Sequence, residues 1–324
     1  MTSNMPIYNV LIIGAGKIGA FYDSSSSQNI LTHAHAFSLH KGFNLIGFVD
    51  SDLSKAQDAC LMWSGTCFNS IEDAFSKNQI DVVCVAVPDE YHYAVLDKLA
   101  FYSPKLVFAE KPLTKTIEEA ERILTLYQEK KIPLLVNYTR RFVPEIVEIK
   151  EKIQAGFYGE YVTGTAYYGK GITHNGSHII DIVRLFLGEI IDFKVASFKF
   201  DFYKDDPSVS GVLKLQNKKD FFLQAVDSRI YALFEIDLIF ENGRIRINDT
   251  NFQFEEFTVK NDPIFKEAFN LVKSKKITLS QGKALLFACD NIYNNLLKNE
   301  NLKCSAIEAL RSLDVCLSIS KGLQ

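Results

Sequence analysis

The sequence predicts an α/β protein in two parts: a doubly wound parallel sheet, then an α+β domain with a large, mainly antiparallel open sheet. Up to residue 137, short β-rich runs alternate with amphipathic segments, as strands and helices do in a parallel sheet. Beyond that point, longer runs alternate apolar and polar residues with a period of two, which is typical of half-buried antiparallel strands. We therefore predict domains at residues 1–137 and 138–324.

Five short apolar runs are the predicted strands of the first domain. They cover residues 7–13, 44–49, 80–87, 106–108 and 133–137. The run Ile80–Val87 is apolar almost throughout, as expected for a parallel strand that is covered on both faces. Helical patterns, including Tyr91–Ala100 and Thr116–Lys130, lie between the runs and would provide those covers.

The second domain combines helical patterns with longer strands. The predicted helices cover residues 144–155, 178–187, 283–297 and 305–321. The apolar positions of two alternating strands are Phe198, Phe200 and Phe202, and Phe234, Ile236 and Leu238. Alternation of this kind predicts that one face of the sheet lies on the core, while the other face is free for a partner subunit.

Composition excludes several classes of partner. The 324 residues carry a net charge of −3 without a block of Lys or Arg, so no nucleic-acid partner is expected. No run approaches the roughly 20 apolar residues of a membrane helix, so no membrane partner is expected either. The six cysteines are scattered, without a Cys-x-x-Cys pair or a secretory signal, which predicts a cytoplasmic protein.

A glycine-rich segment, G-A-G-K-I-G, follows the first predicted strand directly. Glycines there permit a tight turn, close approach of the backbone to a pyrophosphate, and close packing of helix on strand. The next helix would offer its free N–H groups to the phosphates. This placement predicts a Rossmann turn in which Gly14, Gly16, Lys17, Ile18 and Gly19 bind a dinucleotide, the alternative being an ordinary glycine turn.

Asp50 ends the second predicted strand. A carboxylate there can accept both ribose hydroxyls of the adenosine and would repel a 2′-phosphate, and no Arg follows the strand. We therefore predict NAD rather than NADP. The spacing from Gly19 exceeds the usual ~20 residues, and we assign the extra length to a loop near Ser24–Asn29. A solvated Asp at a strand end is the alternative.

Two further groups of residues come just after predicted strands. Val87, Pro88 and His92 follow the third strand, and Glu110 and Lys111 follow the fourth. The carboxyl ends of parallel strands form the ligand crevice of such a sheet, so these residues are candidate cofactor contacts. His92 fits a helix cap or a surface position equally well. A partly desolvated lysine beside a bound nicotinamide could relay a proton to a substrate hydroxyl.

Taken in order, these motifs resemble the Gfo/Idh/MocA oxidoreductases, the group that includes glucose–fructose oxidoreductase and inositol dehydrogenase. The matching motifs are G-A-G-K-I-G at 14–19, Val87-Pro88 with His92, Glu110-Lys111-Pro112, and N-G-S-H-I-I-D at 175–181. Arg140-Arg141-Phe142, Asn242-Gly243 and the segment 305–310 also look like this family, so the resemblance covers essentially the whole chain.

The resemblance implies an oxidoreductase that transfers a hydride between a secondary alcohol of a sugar, sugar derivative or cyclitol and NAD. It implies that Lys111 and His178 are catalytic, that Asn137 joins the cofactor contacts, and that the protein is a homodimer or homotetramer. The implied substrate contacts are His174, Arg141, Tyr168 and Asp181. Two relatives' functions stay open as alternatives: a non-catalytic NAD-binding sugar-regulatory protein, and a glycosidase that retains NAD.

His178 begins an apolar helix that Asn175 or Ser177 could cap. A helix N-terminus disfavours the imidazolium, so the ring would stay neutral and able to accept a proton. Asp181, one turn on, is near enough to orient it. The alternative is a histidine that only packs at the helix start.

His174 departs from the family pattern, because many relatives carry an Asp four residues before the catalytic His. A neutral imidazole can orient a substrate hydroxyl but supplies no negative charge, so we predict that His174 positions substrate and is not the base. The spacing His174-x-x-x-His178 also fits zinc. No Glu follows His174 and no Cys is near, so we predict no metal.

Overall fold

The computed structural model describes residues 5–248 and 252–323, and within them the chain divides into two compact units. One unit contains the described residues up to Val143 together with Gly282–Arg311, and the other contains the rest. This division differs from the predicted one, in which everything after residue 137 formed a single domain.

The first unit is built on a six-stranded sheet whose strands all run parallel. Its strands are β1 (Tyr8–Ile13), β2 (Phe43–Val49), β3 (Thr66–Phe68), β4 (Val82–Val85), β5 (Leu106–Ala109) and β6 (Leu134–Val136). Their order across the sheet is β3-β2-β1-β4-β5-β6, which is the Rossmann order. The predicted parallel fold is confirmed, and every residue of β4 is buried, as its apolar sequence indicated.

Helices follow most of these strands, and four of the five are preceded by a residue whose side chain caps them. They are α1 (His33–Leu39), α2 (Leu53–Trp63), α3 (Ile71–Lys77), α4 (His92–Tyr102) and α5 (Ile117–Glu129), and short helical turns cover Lys17–Phe21, Asp89–Tyr91 and Thr139–Phe142. The side chains of Thr32, Asp52, Ser70 and Thr116 each accept a hydrogen bond from a backbone N–H of the helix they precede. These caps fix where the helices start.

The second unit contains helices α6 (Pro144–Gln154) and α7 (Ser177–Leu187), with a helical turn at Gly171–Gly176. Its eight-stranded sheet comprises β7 (Tyr161–Tyr168), β8 (Ile190–Lys199), β9 (Ser208–Leu215), β10 (Asp220–Ala225), β11 (Phe234–Phe240), β12 (Gly243–Asn248), β13 (Gln253–Asn261) and β14 (Phe269–Thr278). The order is β14-β13-β12-β11-β7-β10-β9-β8, and all pairs are antiparallel except β7 with β10. The predicted mainly antiparallel sheet is confirmed.

The two alternating patterns of this sheet have different outcomes. Phe234, Ile236 and Leu238 are buried along β11, as predicted. The prediction for Phe198, Phe200 and Phe202 is wrong, because these side chains are 47–57% exposed. β8 is an edge strand that ends at Lys199, and the chain then turns around the buried carboxylate of Asp201.

After β14 the chain returns to the first unit. A turn at Gln281–Lys283 leads into α8 (Ala284–Lys298), and α9 (Ala306–Lys321) closes the fold. The Tyr293 ring of α8 lies 5.9 Å from the ring centroids of both Tyr8 and Phe43. The backbone N–H of Val136 donates to the carbonyl of Cys304 at 2.9 Å. These contacts complete the core of the first unit, which explains why it includes a segment that local sequence patterns assigned elsewhere.

Within the described part of the chain, none of the helices combines the length and the apolar composition that crossing a membrane requires.

Candidate functional site

The glycine turn after β1 fits the role that each glycine was expected to play. Gly14 has a φ of +98°, and a Cβ there would lie 2.5 Å from the carbonyl group of Ala86. A Cβ at Gly19 would lie 2.1 Å from the carbonyl oxygen of Gly14. A Cβ at Gly16 would meet nothing within 4 Å. Packing therefore requires glycine at 14 and 19, whereas Gly16 leaves open space in front of the backbone.

That open space belongs to a cavity of about 810 Å³ in the first unit. Residues at the ends of β1 and β2 and directly after β4 and β5 contribute to its wall, as expected for the ligand crevice of a parallel sheet. Predicted cofactor residues that line it are Gly14, Gly16, Lys17, Ile18, Asp50, Val87, Pro88, Glu110 and Lys111. Gly19, His92 and Asn137 do not line it.

The Asp50 carboxylate is held in place at the end of β2. Its Oδ2 accepts a hydrogen bond from the backbone N–H of Ala15 at 2.7 Å, and its Oδ1 accepts one from the backbone N–H of Asp52 at 2.9 Å. Each carboxylate oxygen has a second lone pair, so both can still accept a ribose hydroxyl.

Lys55 lines the same cavity, so its wall carries a cation although no Arg directly follows the strand. It belongs to the first turn of α2, so a search for an Arg directly after the strand missed it. The wall beside Asp50 therefore carries both signs of charge.

His92 does not line the cavity, which corrects its predicted place among the cofactor contacts. Its side chain is fully buried, with Nδ1 2.6 Å from the carbonyl oxygen of Pro112 and Nε2 3.0 Å from that of Val87. The ring thus connects the loop after β4 with the loop that carries Lys111. Burial excludes the surface reading.

Glu110, beside Lys111 in the chain, is held by two buried residues. Its Oε1 lies 2.8 Å from Nε2 of His33 and accepts a hydrogen bond from Nδ2 of Asn137 at 2.6 Å. Burial raises the pKa of this carboxyl, but the hydrogen bond and charge of His33, with Asn137 and Lys111, outweigh it, so the pKa lies below its ordinary value. Glu110 is therefore ionised at neutral pH. Asn137 contacts Glu110 and does not line the cavity.

No local pattern in the sequence pointed to His33. Its side chain is fully buried, with its ring edge-on to Phe108 at 4.9 Å, and its partner Glu110 lies 77 residues further along the chain.

In the second unit, His174 lies in the helical turn before α7 and contacts a carboxylate. Its Nδ1 is 2.6 Å from Oδ2 of Asp206, and the backbone N–H groups of Thr173 and His174 donate to the same carboxylate at 3.0 Å. Burial raises the pKa of Asp206, but these hydrogen bonds outweigh it and bring the pKa below its ordinary value. The imidazole itself supplies no negative charge, but the Asp206 carboxylate places one beside it, which the sequence did not indicate.

The start of α7 also differs from the prediction. Asn175 donates its side-chain amide to the carbonyl of Gly169, and Ser177 donates its hydroxyl to the carbonyl of His174, so neither side chain caps the helix. The turn at Gly171–Gly176 runs directly into α7, and Asp206 accepts the amides at its start. The partly buried His178 therefore lies a turn beyond these amides.

Three predicted substrate contacts are core residues instead. Tyr168 is fully buried, and its hydroxyl donates to the carbonyl of Val209 and accepts from that residue's N–H. Asp181 is 1% exposed and accepts from the hydroxyl of Ser312 at 3.2 Å. These two positions are on the inner faces of β7 and α7.

Arg141, the third of them, is 5% exposed. It donates to the carbonyl of Lys303 and to the carboxylate of Glu308, both at 3.2 Å. The guanidinium thereby links the segment that contains Lys303 and Glu308 to the rest of the first unit.

The spacing His174-x-x-x-His178 also fitted a zinc site. Among residues 5–248 and 252–323, no three His, Cys, Asp or Glu side chains are grouped so that they could hold a metal ion. The ring nitrogen Nδ1 of His174 faces Asp206.

Comparisons with known proteins agree with this geometry. Residues 8–138 match the family model described as an oxidoreductase family with an NAD-binding Rossmann fold. The chain is 31% identical over 151 residues to inositol 2-dehydrogenase of Corynebacterium glutamicum (strain R), a match that spans 46% of this chain and 42% of that protein. It is 25% identical over 215 residues to scyllo-inositol 2-dehydrogenase (NAD(+)) of Bacillus subtilis (strain 168), spanning 64% of this chain and 57% of that protein.

Solved structures extend the likeness to both units. The crystal structure of a putative NADPH-dependent oxidoreductase from Desulfitobacterium hafniense superposes with a TM-score of 0.82 at 16% identity, covering 98% of this chain and 95% of that one. At this identity the likeness shows the fold.

Proposed function

We propose that this protein is a member of the Gfo/Idh/MocA oxidoreductase family, whose model its residues 8–138 match, and that it is an enzyme that transfers a hydride between a secondary alcohol and NAD. The observation that carries the proposal is the cavity of the first unit. It brings together the glycine turn, the fixed carboxylate of Asp50 and the side chain of Lys111.

The cavity wall fits NAD in three respects. The open space in front of Gly16 suits a pyrophosphate that approaches the backbone. The Lys17 and Lys55 side chains provide positive charge for the phosphates, and the two oxygens of Asp50 suit the two ribose hydroxyls. When bound, NAD supplies the acceptor or donor of the hydride. We propose that NAD is preferred over NADP, because the Asp50 carboxylate would repel a 2′-phosphate.

Lys111 and His178 are the proposed acid–base residues for the substrate hydroxyl. Lys111 lines the cavity and follows Glu110, whose ionised carboxylate favours a positive lysine beside it. A positive lysine can hydrogen-bond the hydroxyl oxygen and lower the cost of removing its proton. His178 is the proposed acceptor of that proton, because a positive lysine cannot accept one.

We propose that the substrate is a sugar, sugar derivative or cyclitol. Among these classes a cyclitol is favoured by the relatives named as inositol dehydrogenases. The matched region covers 42–57% of the length of those relatives. We also propose a cytoplasmic protein, which agrees with six cysteines that are all free thiols.

We further propose a homodimer or homotetramer that is assembled through the sheet of the second unit. Large apolar side chains are exposed on β8 and β14, which are the two edge strands of the sheet. They are Ile191, Phe198, Phe269, Leu271 and Val272. Exposed apolar side chains on an edge strand suit contact with a second subunit.

The test is formation of NADH with a panel of cyclitols, free sugars and nucleotide sugars, each added to the protein with NAD⁺. The panel should first be screened by thermal shift, since a specific ligand stabilises the folded state. We expect at least one compound to raise the melting temperature and to reduce NAD⁺. Binding of NAD without turnover of any compound would favour a regulatory protein. Cleavage of a glycoside without net NADH formation would favour a glycosidase.

A further inference from the structure

His174 is held on two sides by residues that come later in the chain. Its Nδ1 lies 2.6 Å from Oδ2 of Asp206, and its ring stacks on Tyr203 with centroids 3.8 Å apart and planes 15° from parallel. The His174 side chain is 33% exposed, whereas that of Asp206 is 4% exposed. The imidazole is thus fixed in orientation at the edge of the second unit's core, with a buried carboxylate behind it.

The loop around Asp206 leaves little room for this carboxylate to move. Gly171 has a φ of +77°, and a Cβ there would lie 1.9 Å from Oδ2 of Asp206. The N–H groups of Thr173 and His174 both point at the carboxylate. Backbone and carboxylate therefore fix each other, and the position of the His174 ring follows from both.

This contact dictates which ring nitrogen carries the proton. An ionised carboxylate only accepts hydrogen bonds, so a ring nitrogen 2.6 Å from it must donate. A neutral imidazole has one N–H, and with that proton on Nδ1 the opposite nitrogen, Nε2, becomes an acceptor.

We propose that Asp206 is a positioning residue that holds His174 with its proton on Nδ1, so that Nε2 accepts a hydrogen bond from a substrate hydroxyl. This role rests on the proposed function, since it requires a hydroxylated substrate. In this scheme Asp206 provides the negative charge that the imidazole of His174 cannot supply itself. Asp206 has no contact with substrate in this scheme and acts only through the imidazole.

A purely structural role for Asp206 predicts something different, and Asp201 provides the matched control. Asp201 is also buried, at 3% exposure, and supports the same loop by accepting from the N–H of Lys170 and the hydroxyl of Ser208, both at 2.8 Å. Its carboxylate also accepts from the N–H of Ser228. Loss of either carboxylate weakens the loop, but only loss of Asp206 removes the charge beside His174.

The first test reads the tautomer directly and needs no substrate. The intact protein, labelled with ¹⁵N-histidine, is compared by NMR with Asp206→Asn and Asp201→Asn, and His174→Asn identifies the signal among the six histidines. We expect His174 in the wild type and in Asp201→Asn to carry its proton on Nδ1. Asp206→Asn should show both tautomers, since an amide offers a donor as well as an acceptor. A proton on Nε2 in the wild type, or unchanged signals in Asp206→Asn, would overturn the proposal.

The second test uses steady-state kinetics with NAD⁺ and myo-inositol, or the best compound of the panel. Asp206→Asn and His174→Ala should each raise KM roughly ten- to one-hundred-fold, the cost of a weakened hydrogen bond to a charged or polarised group, with kcat changed only a few-fold. Asp201→Asn should lower the melting temperature without this rise. An equal rise of KM in both Asp variants would show that Asp206 only supports the loop. If the wild type turns over no compound, the proposed function fails, and the tautomer still decides the role of Asp206.

Discussion

Replacing Gly16 with alanine separates the folding of the glycine turn from its binding of NAD. Gly16 has a φ of −84°, which alanine adopts readily, and a Cβ there would meet no protein atom within 4 Å. The methyl group would instead project into the cavity where we place the pyrophosphate. The variant should therefore fold normally and bind NAD poorly.

The expected magnitudes follow from these contacts. An alanine at an unstrained position stabilises a fold by about 0.4–1 kcal/mol, so the melting temperature of the free protein should stay the same or rise slightly. A methyl group that holds the pyrophosphate away from the turn removes at least one hydrogen bond to a charged group, worth about 1.5–3 kcal/mol. At about 1.4 kcal/mol for each tenfold change, the Kd for NAD should rise roughly ten- to one-hundred-fold.

Calorimetric titration of NAD⁺, together with thermal unfolding of the free protein, measures both quantities. Gly19→Ala is the contrasting variant, because its Cβ would overlap the carbonyl oxygen of Gly14 at 2.1 Å and should lower the melting temperature. An unchanged Kd for NAD in a normally folded Gly16→Ala protein would refute the placement of the pyrophosphate.

Three further predictions concern catalysis, cofactor choice and assembly. Lys111→Ala and His178→Ala should each reduce kcat roughly 10²–10⁴-fold while NAD still binds, and near-normal turnover would remove that residue from the proposed pair. Asp50→Ala should narrow the preference for NADH over NADPH in direct titrations, because the repulsion of the 2′-phosphate is lost while Lys55 remains in the cavity wall; tighter NADPH binding by the wild type would contradict the assignment of Asp50. Light scattering at micromolar concentration should give the mass of a dimer or tetramer, and a monomer would contradict the proposed role of β8 and β14.

Local patterns predicted most of the first unit's sheet. The runs that became β1, β2, β4, β5 and β6 were visible because buried parallel strands need apolar side chains on both faces. The glycine turn was visible because steric constraints require glycine there. A Cβ at Gly19 would overlap the carbonyl of Gly14, and a Cβ at Gly14 would overlap the backbone just after β4.

The contacts that the sequence did not reveal are those between distant segments. His33 and Glu110 are 77 residues apart, and His174 and Asp206 are 32 apart, so no local spacing links either pair. The motif at 175–181 placed Asp181 correctly on a helix, but only packing decided that its side chain faces inward. The same holds for Tyr168, which is on the buried face of its strand.

Helix α8 leaves the ribosome only after the whole segment 144–281 has been synthesised. Until then, Tyr8 and Phe43 lack the Tyr293 ring that packs against them in the folded chain, and β6 lacks its partner at Cys304. Domains usually fold in the order in which they are made. Part of the apolar core of the nascent first unit nevertheless stays uncovered until α8 has been synthesised. During that interval the first unit should be a substrate for chaperones and proteases. Its Rossmann sheet should become protease-resistant only after Tyr293 and Cys304 have been synthesised.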